Sequence, residues 1–303
     1  MIKYLQFLLL CLIWGTTFAA IKIGSSSTPP MAGLALRYGF AMLVLFPVVG
    51  LTRRKIWFNR SSLKMYGVVG FYSMGLSYLC TYWAMQFIPS SLSAILWATL
   101  PLFVGLFAHL MVPLEKLNAR RLISIFIAIV GVFMILTDQQ LVFNVEMLLG
   151  CLVVLLGVVM ASYPNVYLKA KAKDYDPMVL TAMSILIGAL IHLTGAISTG
   201  QFAEMSWSAQ NIGAAAYLGV FGSAIAFFLY FSLLRKIEVV KLSFVTFLTP
   251  IIATLVGLTF LHEAVTLSEI FGIGFIFSGL FLYDFKKYYL HVKRLKPFLR
   301  KAV

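Results

Sequence analysis

Apolar runs of about 20 residues, each closed by a short polar or basic joint, recur along the whole chain, and that is the length a helix needs to cross the hydrocarbon core of a bilayer. The runs predict ten membrane helices, over roughly 4–23, 31–52, 62–86, 90–112, 119–137, 146–169, 177–198, 209–234, 239–260 and 267–285. Several joints carry helix-start chemistry: Pro29 with Pro30 before the second run, Pro89 with Ser90 before the fourth, Asp176 with Pro177 before the seventh. Proline suits a first turn because the N–H it lacks would be unpaired there anyway. The least polar joints are QFIPSS, after the third run, and RKIEVV, after the eighth.

The pattern also repeats. Pro101, Glu115 and Gly131 follow one another in the first half as Pro250, Glu263 and Gly279 do in the second, with 16 residues from glutamate to glycine in both copies. Proline to glutamate is 14 residues in one and 13 in the other, the extra residue coinciding with Pro113. Five runs per copy is an odd number, so the second copy enters the membrane from the opposite side. The expected architecture is therefore an all-α integral membrane protein of two inverted five-helix repeats, 1–140 and 141–286, followed by a basic tail, 287–303. Inverted repeats mark secondary transporters, because a pseudo-two-fold axis in the membrane plane gives inward-open and outward-open states of similar energy.

Composition supports the membrane assignment. With 61% hydrophobic and 11% charged residues and a mean hydropathy of +0.97, the chain lacks the polar surface to solvate a globule of its size. Cys11, Cys80 and Cys151 lie inside apolar runs without metal or CxxC spacing and read as small packing residues. If the amino terminus is cytoplasmic, 22 of the 24 Lys and Arg fall on the cytoplasmic side, and only Lys22 and Arg37 lie at or within helices. That bias satisfies the positive-inside rule and places both termini in the cytoplasm of a multi-pass protein, expected in a bacterial inner membrane. The +14 net charge is spread over every joint on one face, which suits anionic lipid and argues against nucleic acid. The first run, behind Lys3, is read as a retained helix, since its loss would break the first repeat.

Particular residues carry a family likeness. They are Trp14, Gly15, Phe18 and the stretch Ile21, Lys22, Ile23, Gly24 in the first run, and Arg37 with Tyr38 in the second. They also include AMQFIPSSLSAILWATLP and LLRKIEVVKLSFVTFLTP, with 17 residues from Ala84 to Pro101 and from Leu233 to Pro250. Together these resemble the EamA-type transporters of the drug/metabolite transporter superfamily, over essentially the whole chain. Pro113, the one-residue offset before Glu115, and Pro164 in the sixth run depart from the pattern. The resemblance implies a bundle in which the first four helices of each copy surround a central substrate cavity and the fifth helices are peripheral. It implies a carrier of small metabolites, exporting amino acids or related compounds, the alternative being uptake of a nucleoside-like or cofactor-like metabolite. No cofactor is implied, and the expected assembly is a monomer or homodimer.

Candidate cavity residues follow from helical spacing. Trp14 with Thr17 and Tyr78 with Tyr82 share helix faces, and Trp97 and Thr246 stand one turn before Pro101 and Pro250. Tyr163 and Tyr230 complete the set, aromatic rings with polar tips that either stack a substrate or fill the core and interface. Pro101 and Pro250, near mid-run, are expected to kink their helices, either as gates or as fixed packing features. Arg37, the one charge well inside a run, is expected to play a structural or gating role. Glu115 and Glu263 are expected to cap helices and His109 and His192 to pack. Gly131, Gly272 and Gly279 suit close helix packing within the chain or between protomers. The runs hold no HExxH motif, aspartate pair or metal cluster, so an enzyme is not expected. A channel is disfavoured by the inverted repeats.

Overall fold

A computed structural model describes residues 2–25, 28–88, 90–136, 144–172, 174–249, 251–252, 267–268 and 270–283. Pro250, Glu263 and the basic tail lie outside them. Among the described residues the chain is helical throughout, without strands. The first half comprises α1 (Ile2–Ser25), α2 (Pro30–Leu51), α3 (Arg60–Val68), α4 (Tyr78–Ala84), α5 (Ser90–Trp97), α6 (Leu100–Met111) and α7 (Ala119–Leu136). The second comprises α8 (Val145–Lys171), α9 (Pro177–Ser198), the short α10 (Gln201–Glu204), α11 (Ala209–Gly219), α12 (Ala226–Leu234), α13 (Val239–Thr249) and α14 (Ile270–Tyr283). Five stretches are long and apolar enough to cross a bilayer: Pro30–Leu51, Leu92–Met111, Val145–Lys171, Pro177–Ser198 and Ala209–Leu234. The starts agree with the sequence signals: Pro30 opens α2, and Asp176 accepts hydrogen bonds from Met178 N–H (2.8 Å) and Val179 N–H (3.1 Å) at the start of α9.

Two features interrupt the helices where the chain composition gives no warning. Val69–Ser77 joins α3 to α4, and Val220–Ile225 joins α11 to α12, in π-helical winding. The two stretches overlap when the halves are aligned by the repeat. π turns displace carbonyls from the regular ladder, and here side chains collect them. Met74 O accepts from Tyr38 Oη (3.0 Å) and lies 3.0 Å from His192 Nε2, while Gly222 O accepts from Arg37 Nη2 (3.2 Å) and Trp14 Nε1 (3.4 Å).

The helices pack across the halves in exchangeable pairs. α9 packs on the first π segment as α11 packs on α2; α8 packs on the first π segment as α11 packs on α1; α2 packs directly on α9 and α6 on α13. α7 and α14 form a pair of their own. A Cβ on Gly131 would stand 2.5 Å from Gly272 O, and one on Gly279 would stand 2.5 Å from Ser124 O, so the backbones touch and tolerate no larger residue. These glycines are therefore used within the chain. The opposite face of α7, with Ile123, Phe126, Val130 and Phe133, is exposed and apolar, as a lipid-facing surface is.

Candidate functional site

Between the two halves lies a cavity of about 80 Å3. A single water needs only ~10–15 Å3 of such space, so the cavity is suited to a small molecule. α1 supplies Trp14, Thr17, Phe18 and Ile21; α2 supplies Arg37; the third span supplies Ser73, Tyr78 and Thr81. Trp97 and Leu100 come from α5 and α6, Ala161 and Asn165 from α8, Phe227 and Tyr230 from α12, and Thr246 and Thr249 from α13. None comes from the described parts of α7 or α14, which agrees with a peripheral fifth helix. α9 contributes none either, against expectation, because its inner face is spent on α2 and the first π segment.

Six of the eight expected cavity residues, Trp14, Thr17, Tyr78, Trp97, Tyr230 and Thr246, line this space. The rings form a continuous wall: Trp14 lies 5.4 Å from Tyr230 and 5.6 Å from Phe227, and Tyr78 lies 5.9 Å from Phe227 and 6.5 Å from Trp97. Tyr82 stands behind Arg37 instead, its hydroxyl accepting from Nη1 at 3.3 Å. Tyr163 lies in a separate aromatic cluster with Tyr72, Phe107 and Tyr167. Both belong to the same helices as true lining residues but face other directions, which residue type alone does not reveal.

Pro101 does not sit in mid-helix. The fourth span breaks at Ala98 and Thr99, and Pro101 occupies the first turn of α6, where its missing N–H costs nothing. Thr99 Oγ1 donates to Leu96 O at 2.6 Å and holds the break, which leaves Trp97 at the end of α5 facing the cavity.

The polar groups of the wall are of two kinds. Thr17, Thr81, Thr246 and Thr249 donate to carbonyls of their own helices, Trp14 O (2.8 Å), Ser77 O (3.0 Å), Ser243 O (3.0 Å) and Thr246 O (3.0 Å). With the proton so engaged, each hydroxyl oxygen is left as an acceptor. The donors are Arg37, the Asn165 amide and the Trp97 indole, the last tied to Thr81 Oγ1 at 3.1 Å. Arg37 is 1% exposed, and its Nε donates to Ser223 Oγ at 2.8 Å while its guanidinium lies 4.6 Å from the Tyr78 ring centre. It thus pins α2 to the second π segment and also reaches the cavity.

Several lining residues that the sequence analysis did not assign to the cavity were within its reach. Phe18 and Ile21 continue the helical stripe of Trp14, Phe227 precedes Tyr230 by one turn, and Thr249 follows Thr246 by one turn. Asn165 is a lone amide in an apolar run. Ser73 was not accessible to such reasoning, since π winding shifts the face on which it falls.

At one end of the bundle, near the basic joints, polar contacts from Glu115 and Arg54 tie the halves together, and others close the joints of the second half. Glu115, 4% exposed, accepts the Val239 N–H at 2.8 Å and so caps α13 of the other half rather than its own α7. Burial raises its carboxyl above the usual carboxylate range, opposed by Lys169 and the Val239 N–H. Lys169 Nζ donates to Leu234 O (2.9 Å) and Ile237 O (2.6 Å) at the end of α12. Arg54 pairs with Asp176, and Arg235 Nη1 donates to Tyr175 O at 3.1 Å.

Comparison with known proteins follows the same outline. The "Uncharacterized transporter YoaV" of Bacillus subtilis is 28% identical over 276 residues, covering 90% of this chain and 94% of that protein. The "Uncharacterized inner membrane transporter YedA" of Escherichia coli K12 is 25% identical over 287 residues, covering 94% of this chain and 91% of its own. A solved crystal structure shares the fold, with a TM-score of 0.77 at 20% identity over 95% of this chain and 98% of that one. The sequence pattern of the EamA-like transporter family matches residues 1–137 and 148–283, so this multi-pass membrane protein belongs to the EamA-like transporter family.

Proposed function

We propose that this transporter is a secondary carrier that moves small metabolites by alternating access, exporting amino acids or related compounds across a bacterial inner membrane with both termini in the cytoplasm. The observation that carries the reading is the cavity, enclosed by helices of both halves and combining an aromatic wall, a guanidinium donor and threonine acceptors. A zwitterion finds both donors and acceptors in such a wall, donors for its carboxylate and acceptors for its ammonium, with the rings against its side chain. The two matched family stretches and the exchangeable packing pairs support two inverted five-helix repeats, 1–140 and 141–286, moving about the shared cavity. On this reading the break before Pro101 is a flexing point, a role the sequence repeat extends to Pro250 outside the described residues, and the contacts around Glu115 and Lys169 hold the cytoplasmic end shut.

The test is efflux. Cells expressing the protein, preloaded with a radiolabelled amino-acid mixture, should lose label faster than cells without it. Proteoliposomes of purified protein should reproduce the loss for individual compounds. Equal loss in both cell types, with uptake of labelled nucleosides instead, would overturn the export of amino acids.

A further inference from the structure

Among the described residues, Arg37 has only neutral partners. Ser223 Oγ, Tyr82 Oη and Gly222 O occupy three of its N–H donors, and the Tyr78 ring faces it at 4.6 Å. A guanidinium has five such donors, so the fork is left with capacity to spare. No Asp or Glu pairs with it among the described residues, and none of the cavity wall is acidic. All ten acidic residues of the chain lie at joints and helix ends, far along the sequence from the middle of any apolar run.

An intramembrane charge without a counter-charge is expensive, and such residues pair or face a cavity that supplies a partner. A role limited to pinning α2 against the second π segment does not need the charge, since a neutral amide side chain also donates to a hydroxyl and a carbonyl. A second group is unsatisfied in the same wall. The Tyr230 hydroxyl, on a residue 2% exposed, has no hydrogen-bond partner among the described residues, an arrangement rarely left unfilled in a buried site.

We infer that Arg37 is the anion-binding residue of the cavity and that the ligand is a small organic carboxylate whose apolar body lies against the Trp14, Tyr78 and Phe227 rings. This deepens the transport reading, since it rests on the cavity being the substrate site, and it changes Arg37 from a structural charge to a specificity residue. The planar fork matches a carboxylate in two-point geometry, and the Tyr78 face behind it holds the guanidinium in plane. The Tyr230 hydroxyl and the Asn165 amide provide further donors in the same wall. The site discriminates against the corresponding amide or amine, which brings no negative charge to Arg37.

The test uses matched acid and amide probes on the purified full chain: acetate with acetamide, benzoate with benzamide, phenylalanine with phenylalaninamide, each read by direct binding and by thermal shift at constant ionic strength. Within at least one pair the acid should bind on the order of 10- to 100-fold tighter than the amide, the size expected for a charge-assisted hydrogen bond. Arg37→Gln should erase the preference, and Arg37→Lys should keep the charge and part of the preference while losing the fork. Tyr230→Phe, which removes only the unpartnered hydroxyl, should lower affinity for the acid without lowering thermal stability. It keeps the inference testable if Arg37→Gln fails to fold. Acids and amides that are indistinguishable in every pair, whether all bind or none does, overturn the anion site. Efflux decides the other reading separately: acid-selective binding by a protein that moves no amino acid would keep the site and sink the export.

Discussion

Trp97→Ala is the perturbation that most directly tests whether the cavity is a binding site. Trp97 ends α5 immediately before the break at Ala98 and Thr99, half-buried, with its indole N–H on Thr81 Oγ1 at 3.1 Å and its ring 6.5 Å from Tyr78. A buried tryptophan covers roughly 150–250 Å2, and if about 80–100 Å2 of that faces a bound ligand, its removal costs ~2–2.5 kcal/mol at about 25 cal/mol per Å2. That corresponds to a Kd raised about 30- to 70-fold. Fold stability should fall much less, because truncation widens an existing cavity and Thr81 Oγ1 still donates to Ser77 O at 3.0 Å. Trp97→Phe keeps a ring face in the wall and leaves Thr81 bonded, so it should retain most of the affinity. Calorimetry on the two purified variants, with the tightest-binding acid probe and a melting curve for each, measures both quantities. Unchanged affinity in Trp97→Ala would remove the ring from the site. A collapse of the melting temperature in both variants would make Trp97 a packing residue.

Topology is checked with single cysteines in a chain freed of Cys11, Cys80 and Cys151: one at the exposed Ser206 should react with an impermeant thiol reagent added to intact cells, and one at the exposed Ser61 should react only after lysis. Labelling of Ser61 from outside would refute the ten-span topology and the inverted repeat together. Glu115→Ala orphans the buried Val239 N–H and should cost about 1–3 kcal/mol of stability, whereas Glu115→Gln keeps an acceptor and should be nearly neutral at pH 7. Because burial raises the Glu115 carboxyl, the native state binds that proton more tightly than the unfolded chain does. The associated stability is present in full below about pH 4.3 and is lost as pH rises through the folded value. Melting curves over that range should show the decline in the parent and its absence in Glu115→Gln, and a Gln variant as unstable as Ala would refute the capping role.

The sequence by itself determined that this chain is a bundle of apolar helices, where many of them start, and that Arg37 falls within an apolar run; its burial is a finding of the structure. The first two follow from local physics: run length against bilayer thickness, and proline and aspartate at first turns. Six of the residues the sequence put forward line the cavity: the three-residue spacing of Trp14 and Thr17 put both on one face of α1, whereas Trp97 lines it because the span breaks after it. Tertiary structure decided the rest. Tyr82 and Tyr163 have the same chemistry as the lining tyrosines, and only the rotation of their helices in the bundle turned them away. The π segments depend on which side chains reach the displaced carbonyls of Met74 and Gly222, and those, Tyr38, His192, Arg37 and Trp14, arrive from other helices. Glu115 looked like a cap for the helix beside it, yet its partner Val239 lies in the opposite half. Gly131 and Gly279 signalled close packing, but which backbone would fill the space was set by the pairing of α7 with α14. Local chemistry chooses the elements of this protein, and contacts between different helices, such as Arg37 with Ser223 and Trp14 with Tyr230, choose what its cavity presents.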